Sequence, residues 1–275
     1  GRAPRTESCR GRQHSRDAPH RASDRSAWNK NQGFFQGHHA MNGSLATKEY
    51  LDDVGLVVAA AGAGRRFSAH QSKALCQYRG QPLFTHCLRT FLPVLRSAHV
   101  VLVVPPREEC EFRNALAAAG LPADIACVPG GDTRTESVAN GLAVLPHSAT
   151  VAAIQDAARP ETTVDILRRC VESARERGAG VAARRVTDTI KVADAAGRVR
   201  ETPDRSSLWA AETPQVFRAD AIRHAYRAAV GEAANLTDDA QAFERLGEPV
   251  YLVENPVPNP KITYRHDLNA YAATE

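Results

Sequence analysis

The sequence lacks the features that mark secreted, zinc-binding and membrane-spanning proteins. Its six cysteines show no C-x-x-C spacing and most lie in apolar segments, so neither a zinc site nor a disulfide framework is supported. No apolar run approaches the ~20 residues that span a bilayer, and the apolar h-region of a secretory signal is missing. We therefore expect free thiols, no membrane partner and a cytoplasmic location.

Methionine is scarce, and the only one is Met41. Residues 1–40 carry eight Lys and Arg against three carboxylates, a charge of +5, with almost no aliphatic residue, so they cannot form a core. Met41 favours the interpretation that this disordered basic tail lies upstream of the natural product. An organellar transit peptide is the alternative and would place the protein in a stroma.

Residues 41–275 show no linker and are expected to form one domain. The whole chain carries +4, so these 235 residues sum to −1, and the pI of about 8.8 reflects the tail. The basic pI therefore gives no indication of nucleic-acid binding.

Within this domain, short β-branched runs alternate with helical patterns, which is the signature of βαβ crossovers. Strands are predicted at residues 56–60, 100–104, 125–128, 151–155, 180–183, 250–253 and 261–264. Helices are predicted at residues 82–96, 107–119, 134–145, 164–177, 219–229, 238–246 and from His266. Thr133 with Glu136, and Thr162 with Asp165, have capping-box spacing at two helix starts. The predicted fold class is α/β, with a mostly parallel sheet flanked by helices.

The pattern changes between residues 184 and 209. Two short strand-like runs, at 190–192 and 199–201, flank Ala195-Ala196-Gly197. This arrangement predicts a hairpin, or β-arm, that projects from the sheet.

The first predicted strand runs into a glycine turn and then into Arg65, Arg66 and Lys73. Small residues there would leave backbone N–H groups open to phosphate oxygens, and the cations would neutralise the anion. A plain turn with a solvated rim is about as compatible with this segment alone. The P-loop signature is absent, and Phe67 stands where a dinucleotide fingerprint would need its third glycine.

Two further predicted strands end in similar groups. Gly130-Gly131-Asp132-Thr133-Arg134 follows one, and Asp156-Ala157-Ala158-Arg159-Pro160 follows another. Each residue alone has an ordinary structural interpretation, as a turn former, an N-cap or a surface charge. Because parallel strands bind ligands at their carboxyl ends, the joint placement favours an anion-binding site at this edge.

Together these segments resemble 2-C-methyl-D-erythritol 4-phosphate cytidylyltransferases over residues 54–273. The matching motifs are Ala60-Ala61-Gly62-x-Gly64-Arg65-Arg66, Lys73, Gly130-Gly131-Asp132-x-Arg134-x-x-Ser137-Val138, Asp156-Ala157-Ala158-Arg159-Pro160, Asp188-Thr189-x-Lys191, Asp204-Arg205-x-x-Leu208-Trp209, Thr213-Pro214-Gln215, Leu236-Thr237-Asp238 and Lys261-Ile262-Thr263. The resemblance implies a Rossmann-like nucleotidyltransferase fold that uses CTP, a polyol phosphate and Mg²⁺. It also implies a homodimer whose β-arm, about residues 184–209, embraces the neighbouring subunit.

The resemblance assigns roles residue by residue. It implies CTP contacts for Ala60, Ala61, Gly62, Gly64, Arg65, Gly131, Asp132, Arg134, Ser137 and Asp156. Arg66 and Lys73 match the pair that stabilises the transition state. Arg159, Thr189, Arg205 and Lys261 match the acceptor site, where Arg205 and Lys261 also count as catalytic. Asp156 falls on the metal side, with Mg²⁺ held mainly by the triphosphate.

Two alternatives stay open on the sequence. One is a ribitol-phosphate or other polyol-phosphate cytidylyltransferase, because only the acceptor pocket would differ. The other is a noncatalytic nucleotide-binding regulator, for which loss of Arg66 or Lys73 would be expected, although both are present. Ala59, Ser72 and Pro260 depart from residues common in the family at those positions.

Overall fold

The computed structural model describes residues 50–62 and 72–272. The basic tail at 1–40 and the predicted site residues Gly64, Arg65 and Arg66 lie outside this part of the chain. The strands of the described part are β1 (Val54–Ala59), β2 (Gln77–Tyr78), β3 (Gln81–Pro82), β4 (Val100–Val104), β5 (Ala126–Pro129), β6 (Val151–Asp156), β7 (Ala179–Arg185), β8 (Val192–Ala193), β9 (Val199–Glu201), β10 (Trp209–Arg218) and β11 (Leu252–Glu254). Its α-helices are α1 (Leu83–Phe91), α2 (Glu109–Ala118), α3 (Arg134–Val144), α4 (Val164–Arg177), α5 (Ala219–Gly231), α6 (Ala240–Arg245) and α7 (Arg265–Ala272).

Seven strands form the central sheet, in the order β11-β7-β10-β6-β1-β4-β5. Every neighbouring pair is parallel except those that involve β10, which runs antiparallel to both β6 and β7. The predicted α/β class with a mostly parallel sheet is confirmed. Within the described residues, no helix combines the length and the apolar character that crossing a membrane requires.

The apolar strands lie at the centre because helices cover both faces of the sheet. All five residues of β4 are buried, as are five of the six in β1. One core packs α1, α2 and α4 against the sheet through residues such as Leu88, Phe112 and Ile166. The opposite core packs α3, α5 and α6 through Val138, Ile222 and Phe243.

Three local predictions were wrong. Residues 261–264 do not form a strand, although the N–H of Ile262 does donate to the carbonyl of Ala158. Helix α1 ends at Phe91 and a 3-10 turn that contains Pro93 follows, because proline cannot supply the N–H that a continuing helix needs. The cap of α4 is Thr163, whose hydroxyl accepts from the N–H of Ile166, one residue later than predicted. The capping box of Thr133 and Glu136 is confirmed.

The strand β10 was not predicted at all. Its middle carries Glu212, Thr213 and Pro214, and its pairing with β7 shifts register between Ala211 and Gln215. A proline in an interior strand normally argues against that assignment, because it cannot donate to the ladder. Pro214 is tolerated in β10 because it lies in the segment between Ala211 and Gln215, where the pairing with β7 is interrupted.

The predicted β-arm is present. Strands β8 and β9 pair only with each other in a two-stranded antiparallel sheet, and Gly197 adopts a positive φ of 79° in the turn between them. Every residue of both strands is exposed.

Candidate active site

Asp156 lies at the centre of a cluster of cations at the carboxyl edge of the sheet. It is the last residue of β6, and its backbone N–H donates to the Thr213 hydroxyl. One carboxylate oxygen lies 2.7 Å from Lys261 Nζ and 3.8 Å from Arg159 Nε, and the other lies 3.7 Å from an Arg134 nitrogen. The structure thus brings together four predicted site residues that come from three separate segments.

The electrostatics of Asp156 follow from this arrangement. Burial by itself would raise the pKa of the carboxyl group, but Lys261, Arg134 and Arg159 outweigh that effect and hold the pKa at about 2. Asp156 is therefore ionised throughout the physiological range, and it serves as a shared counterion.

Arg134 is held by a second carboxylate, which sequence reasoning missed. Its guanidinium makes two hydrogen bonds of 2.7 Å to Asp239, which is fully buried. The Tyr226 hydroxyl donates to the same carboxylate, and Gln215 Oε1 accepts from the N–H groups of Asp239 and Ala240. This planar pairing fixes the direction in which Arg134 faces Asp156.

The glycine loop after β5 lies directly against the end of β1. A Cβ added to Gly130 would stand 2.4 Å from the Ala61 Cβ, and one added to Gly131 would stand 2.4 Å from the Glu136 Cβ. The N–H of Gly131 donates to the Ser137 hydroxyl, and Asp132 is exposed in the loop. Ala60 is buried next to this contact, and Gly62 is exposed beyond it. The glycine loop and the end of β1, which both carry predicted CTP contacts, therefore lie together.

Lys73 reaches the same edge from a short 3-10 helix, Lys73–Leu75. Its Nζ donates to the carbonyl of Ile262 at 2.6 Å. Because Ile262 directly follows Lys261, this bond brings Lys73 to the backbone next to Lys261, although the two lysines are far apart in the sequence.

Arg159 is largely buried beside Asp156. One of its nitrogens donates to the Asn259 carbonyl at 2.6 Å, and the Asn259 side chain donates to the Thr213 carbonyl at 2.8 Å. Burial lowers the pKa of Arg159, although Asp156 and Glu212 act to raise it. Asn259 and Asp239 were not assigned to the site from the sequence. Thr213 and Gln215 belong to a motif that was noted without a role.

Two predicted acceptor residues do not join this cluster. Thr189 and Arg205 are both exposed on the β-arm, where Arg205 donates to the Thr187 carbonyl at 2.8 Å. Among the described residues, no hydrogen bond or ion pair connects either of them to Asp156, Arg159 or Lys261.

The donor set for a metal is sparse. In the part of the chain that the structure describes, no group of three or more His, Cys, Asp or Glu side chains could hold an ion. Asp156 is the carboxylate of the cation cluster, and it is fully ionised. It fits a hard cation such as Mg²⁺ as a single ligand, with the other ligands supplied by substrate phosphates.

Comparison with known proteins identifies the family. The family model described as 2-C-methyl-D-erythritol 4-phosphate cytidylyltransferase matches residues 54–274. The chain belongs to this family. The match begins with β1 and extends beyond Lys261, so it covers every part of the site described above.

Individual relatives agree. A 2-C-methyl-D-erythritol 4-phosphate cytidylyltransferase of Geobacillus kaustophilus is 41% identical over 212 residues, which cover 77% of this chain and 92% of the relative. One from a Synechococcus is 38% identical over 218 residues, which cover 79% and 96%. The crystal structure of the Thermus thermophilus protein of that name superposes with a TM-score of 0.66 at 28% identity, covering 80% of this chain and 98% of that one.

Proposed function

We propose that the protein transfers the cytidylyl group of CTP to 2-C-methyl-D-erythritol 4-phosphate. The products are 4-diphosphocytidyl-2-C-methyl-D-erythritol and pyrophosphate. The observation that carries this proposal is the convergence of Arg134, Arg159 and Lys261 around Asp156, with Lys73 bonded to the backbone next to Lys261, in a chain of this family. The polyol alternatives and the noncatalytic regulator have no comparable support.

The chemistry explains the abundance of cations. A phosphate monoester oxygen attacks the α-phosphorus of CTP, and the bond from that phosphorus to the bridging oxygen breaks as pyrophosphate leaves. Two anions must approach each other, and charge develops on the leaving group. Preorganised cations and alignment of the two reactants supply the required stabilisation, and no covalent nucleophile is needed.

The described residues divide this work between two sides of the cluster. The loop of Gly130 and Gly131, packed against Ala61, would form the surface on which the nucleotide lies. Lys73 would stabilise the α-phosphate, a role that the family resemblance also assigns to Arg66, which lies outside the described residues. Lys261 and Arg159 would bind the acceptor phosphate, and Asp156 keeps both of them in position until substrate arrives.

We propose Mg²⁺ as the cofactor, with Asp156 as its protein ligand and the triphosphate as its main support. The ion would neutralise phosphate charge when bound. This proposal rests on the ionised state of Asp156 and on the family resemblance, which assigns Asp156 to the metal side of the site.

We also propose a homodimer. On the arm, Ile190, Val192 and Val199 are 38%, 45% and 53% exposed, which is unfavourable for three β-branched side chains on one hairpin. A two-stranded hairpin is marginal in water on its own, so a partner surface would stabilise it. The same partner would explain why Thr189 and Arg205 lie apart from the cluster, since each could complete the acceptor site of the other subunit.

For location we propose the cytoplasm, or an organellar stroma if residues 1–40 act as a transit peptide. Supporting this, the cysteines of the described residues are free thiols, namely Cys76, Cys87, Cys110, Cys127 and Cys170.

Pyrophosphate release from a matrix of nucleoside triphosphates and polyol phosphates tests the function. CTP with 2-C-methyl-D-erythritol 4-phosphate should exceed every other pair by at least ~100-fold in kcat/KM, because a site built from polar contacts rejects analogues that leave them unpaired. A preference for ribitol 5-phosphate would replace the proposed acceptor. Nucleotide binding without turnover for any pair would support the regulator instead.

A further inference from the structure

A small apolar cluster lies at the carboxyl edge of the sheet, separate from the two cores on its faces. Its buried members are Tyr78, Leu83, Ala158 and Ile262, each at most 6% exposed. We call it the Ile262 cluster. Tyr78 and Leu83 follow Lys73 in the chain, Ala158 follows Asp156, and Ile262 follows Lys261. The segments that carry Lys73, Asp156 and Lys261 therefore all contribute to this cluster.

The backbone of Ile262 connects the same three segments by hydrogen bonds. Its N–H donates to the Ala158 carbonyl at 2.8 Å, and its carbonyl accepts from Lys73 Nζ at 2.6 Å. The position of the Lys73 ammonium group relative to Asp156 and Lys261 thus depends on how the Lys73 segment sits on Ile262.

The segment that carries Lys73 has little regular structure of its own. It consists of the 3-10 helix Lys73–Leu75 and the two-residue strands β2 and β3, which pair with each other outside the central sheet. Such a short hairpin is not stable by itself. Its placement must come from contacts with the rest of the fold.

A hydrogen bond between two side chains provides such a contact. The Tyr78 hydroxyl donates to Glu161 Oε1 at 2.6 Å, and Arg79 lies 3.2 Å from the same oxygen. Burial raises the pKa of Tyr78, and the neighbouring carboxylate raises it further, so the hydroxyl remains a donor at physiological pH. Glu161 stands five residues after Asp156 on the loop that also carries Arg159.

We propose that Tyr78 and Glu161 are positioning residues, which hold Lys73 in register with Asp156 and Lys261 for the transfer reaction. The inference rests on the proposed function for its kinetic consequence. Transition-state stabilisation by a cation requires precise placement, and a displacement of about 1 Å can reduce the rate ~100-fold. The loss of one hydrogen bond should allow a smaller displacement than that.

The test removes only the hydroxyl group. Tyr78→Phe should lower kcat by about 5- to 20-fold and change KM for CTP by less than about 2-fold, as expected when a transition-state contact is misplaced. Tyr50→Phe is the matched control, because the Tyr50 hydroxyl donates to the Leu95 carbonyl at 2.7 Å, away from the cluster. It should leave kcat unchanged.

Glu161 supplies a second arm. Glu161→Ala should lower kcat at least as much as Tyr78→Phe, because it also removes the ion pair with Arg79, and the double variant should lose no more than Glu161→Ala alone. Glu161→Gln keeps an acceptor for the Tyr78 hydroxyl and should recover most of kcat. Losses that multiply in the double variant, or an equal loss in Tyr50→Phe, would overturn the proposal.

A readout without turnover separates this inference from the function. Amide hydrogen exchange over residues 73–83 should be at least about 5-fold faster in Tyr78→Phe than in the unsubstituted protein, and unchanged in Tyr50→Phe. If the unsubstituted protein is inactive with every substrate pair, the proposed function fails while faster exchange still supports the positioning pair. Unchanged exchange overturns the positioning pair whatever the activity.

Discussion

Asp156 is the residue on which the site's charges depend. Its carboxylate oxygens lie within 4 Å of nitrogens of Lys261, Arg134 and Arg159. Without the carboxylate, three cations would face each other across a largely buried space, which is costly. A single side chain therefore makes a strongly cationic substrate site compatible with a stable fold.

The stability of the protein should depend on this carboxylate in acid. The pKa of Asp156 lies at about 2, below its ordinary value of 3.8, so its stabilising effect is complete above about pH 4 and is lost as pH falls through 2. The full effect is about 2 kcal/mol. The difference in unfolding free energy between the unsubstituted protein and Asp156→Asn, measured in urea, should shrink by more than half as pH falls from 5 to 2.5.

Lys261→Ala provides the internal check on that prediction. Removal of the nearest cation should move the loss of stability toward higher pH, because the pKa of Asp156 would be depressed less. If the free-energy difference between the unsubstituted protein and Asp156→Asn is the same at every pH, the shared-counterion interpretation is wrong.

The two lysines should differ in kinetics. Lys73→Ala should lower kcat by at least ~100-fold and change KM for CTP less, since the lysine acts mainly in the transition state. Lys261→Ala should instead raise KM for the polyol phosphate. Steady-state kinetics with each substrate varied in turn distinguish the two patterns, and their exchange would contradict the assigned roles.

The sequence identified most charged residues of this site. It did not identify Asp239 and Asn259, which hydrogen-bond to Arg134 and Arg159. Asp156, Arg159 and Lys73 were predicted because each follows or precedes a recognisable local pattern. Asp239 lies 105 residues from Arg134 in the chain, and nothing in a local pattern indicates that the two pair. Such a bond forms only when distant segments fold together, whereas a sequence motif is read from neighbouring residues.

At the scale of elements, the regular parts of the fold could be predicted. The bounds of β4 and α4 match the structure residue for residue, because an all-apolar strand and a strongly amphipathic helix leave little ambiguity. The sequence did not reveal β10, because its polar centre contributes to the site rather than to the core. Glu212 and Gln215 are buried there, and hydrogen bonds satisfy their side chains. Glu212 accepts from the Asn255 side chain, and Gln215 accepts from the N–H group of Asp239.

One packing contact between elements permits a sharp test. A Cβ on Gly180 of β7 would stand 2.4 Å from the Cys170 carbonyl oxygen of α4, so Gly180→Ala must force the helix away from the sheet. We expect a loss of about 1–3 kcal/mol in unfolding free energy, measured in urea.

Gly231→Ala is the matched control for that change. Gly231 is the last residue of α5, and a Cβ there would meet no atom within 4 Å. Its stability should stay the same or rise by up to about 1 kcal/mol, because alanine favours helix. Equal losses in the two variants would mean that the helix and sheet are not closely packed at Gly180.

At the scale of the whole molecule, a single chain leaves the arm with exposed apolar side chains and with two predicted acceptor residues outside the cluster. It presents apolar side chains to solvent, and it carries Thr189 and Arg205 away from the residues that they are expected to assist. A second subunit would bury the apolar side chains if it packed against the arm, and Thr189 and Arg205 would then reach the acceptor site of that subunit. The proposed dimer would therefore be required for activity as well as for stability.

Subunit mixing tests this proposal directly. Lys73→Ala and Arg205→Ala homodimers should each be nearly inactive, because every site in them lacks one group. Coexpression of the two variants should restore activity, since each heterodimer would contain one site with both residues intact. Activity per heterodimer should approach half that of the unsubstituted dimer, measured by pyrophosphate release after purification with two different tags. Coexpressed Lys73→Ala and Lys261→Ala subunits are the control, assayed at a polyol phosphate concentration far below KM, and they should gain nothing over their parents because both residues belong to the same chain's cluster. An active monomer in sedimentation, or heterodimers as inactive as their parents, would show that each chain completes its own site.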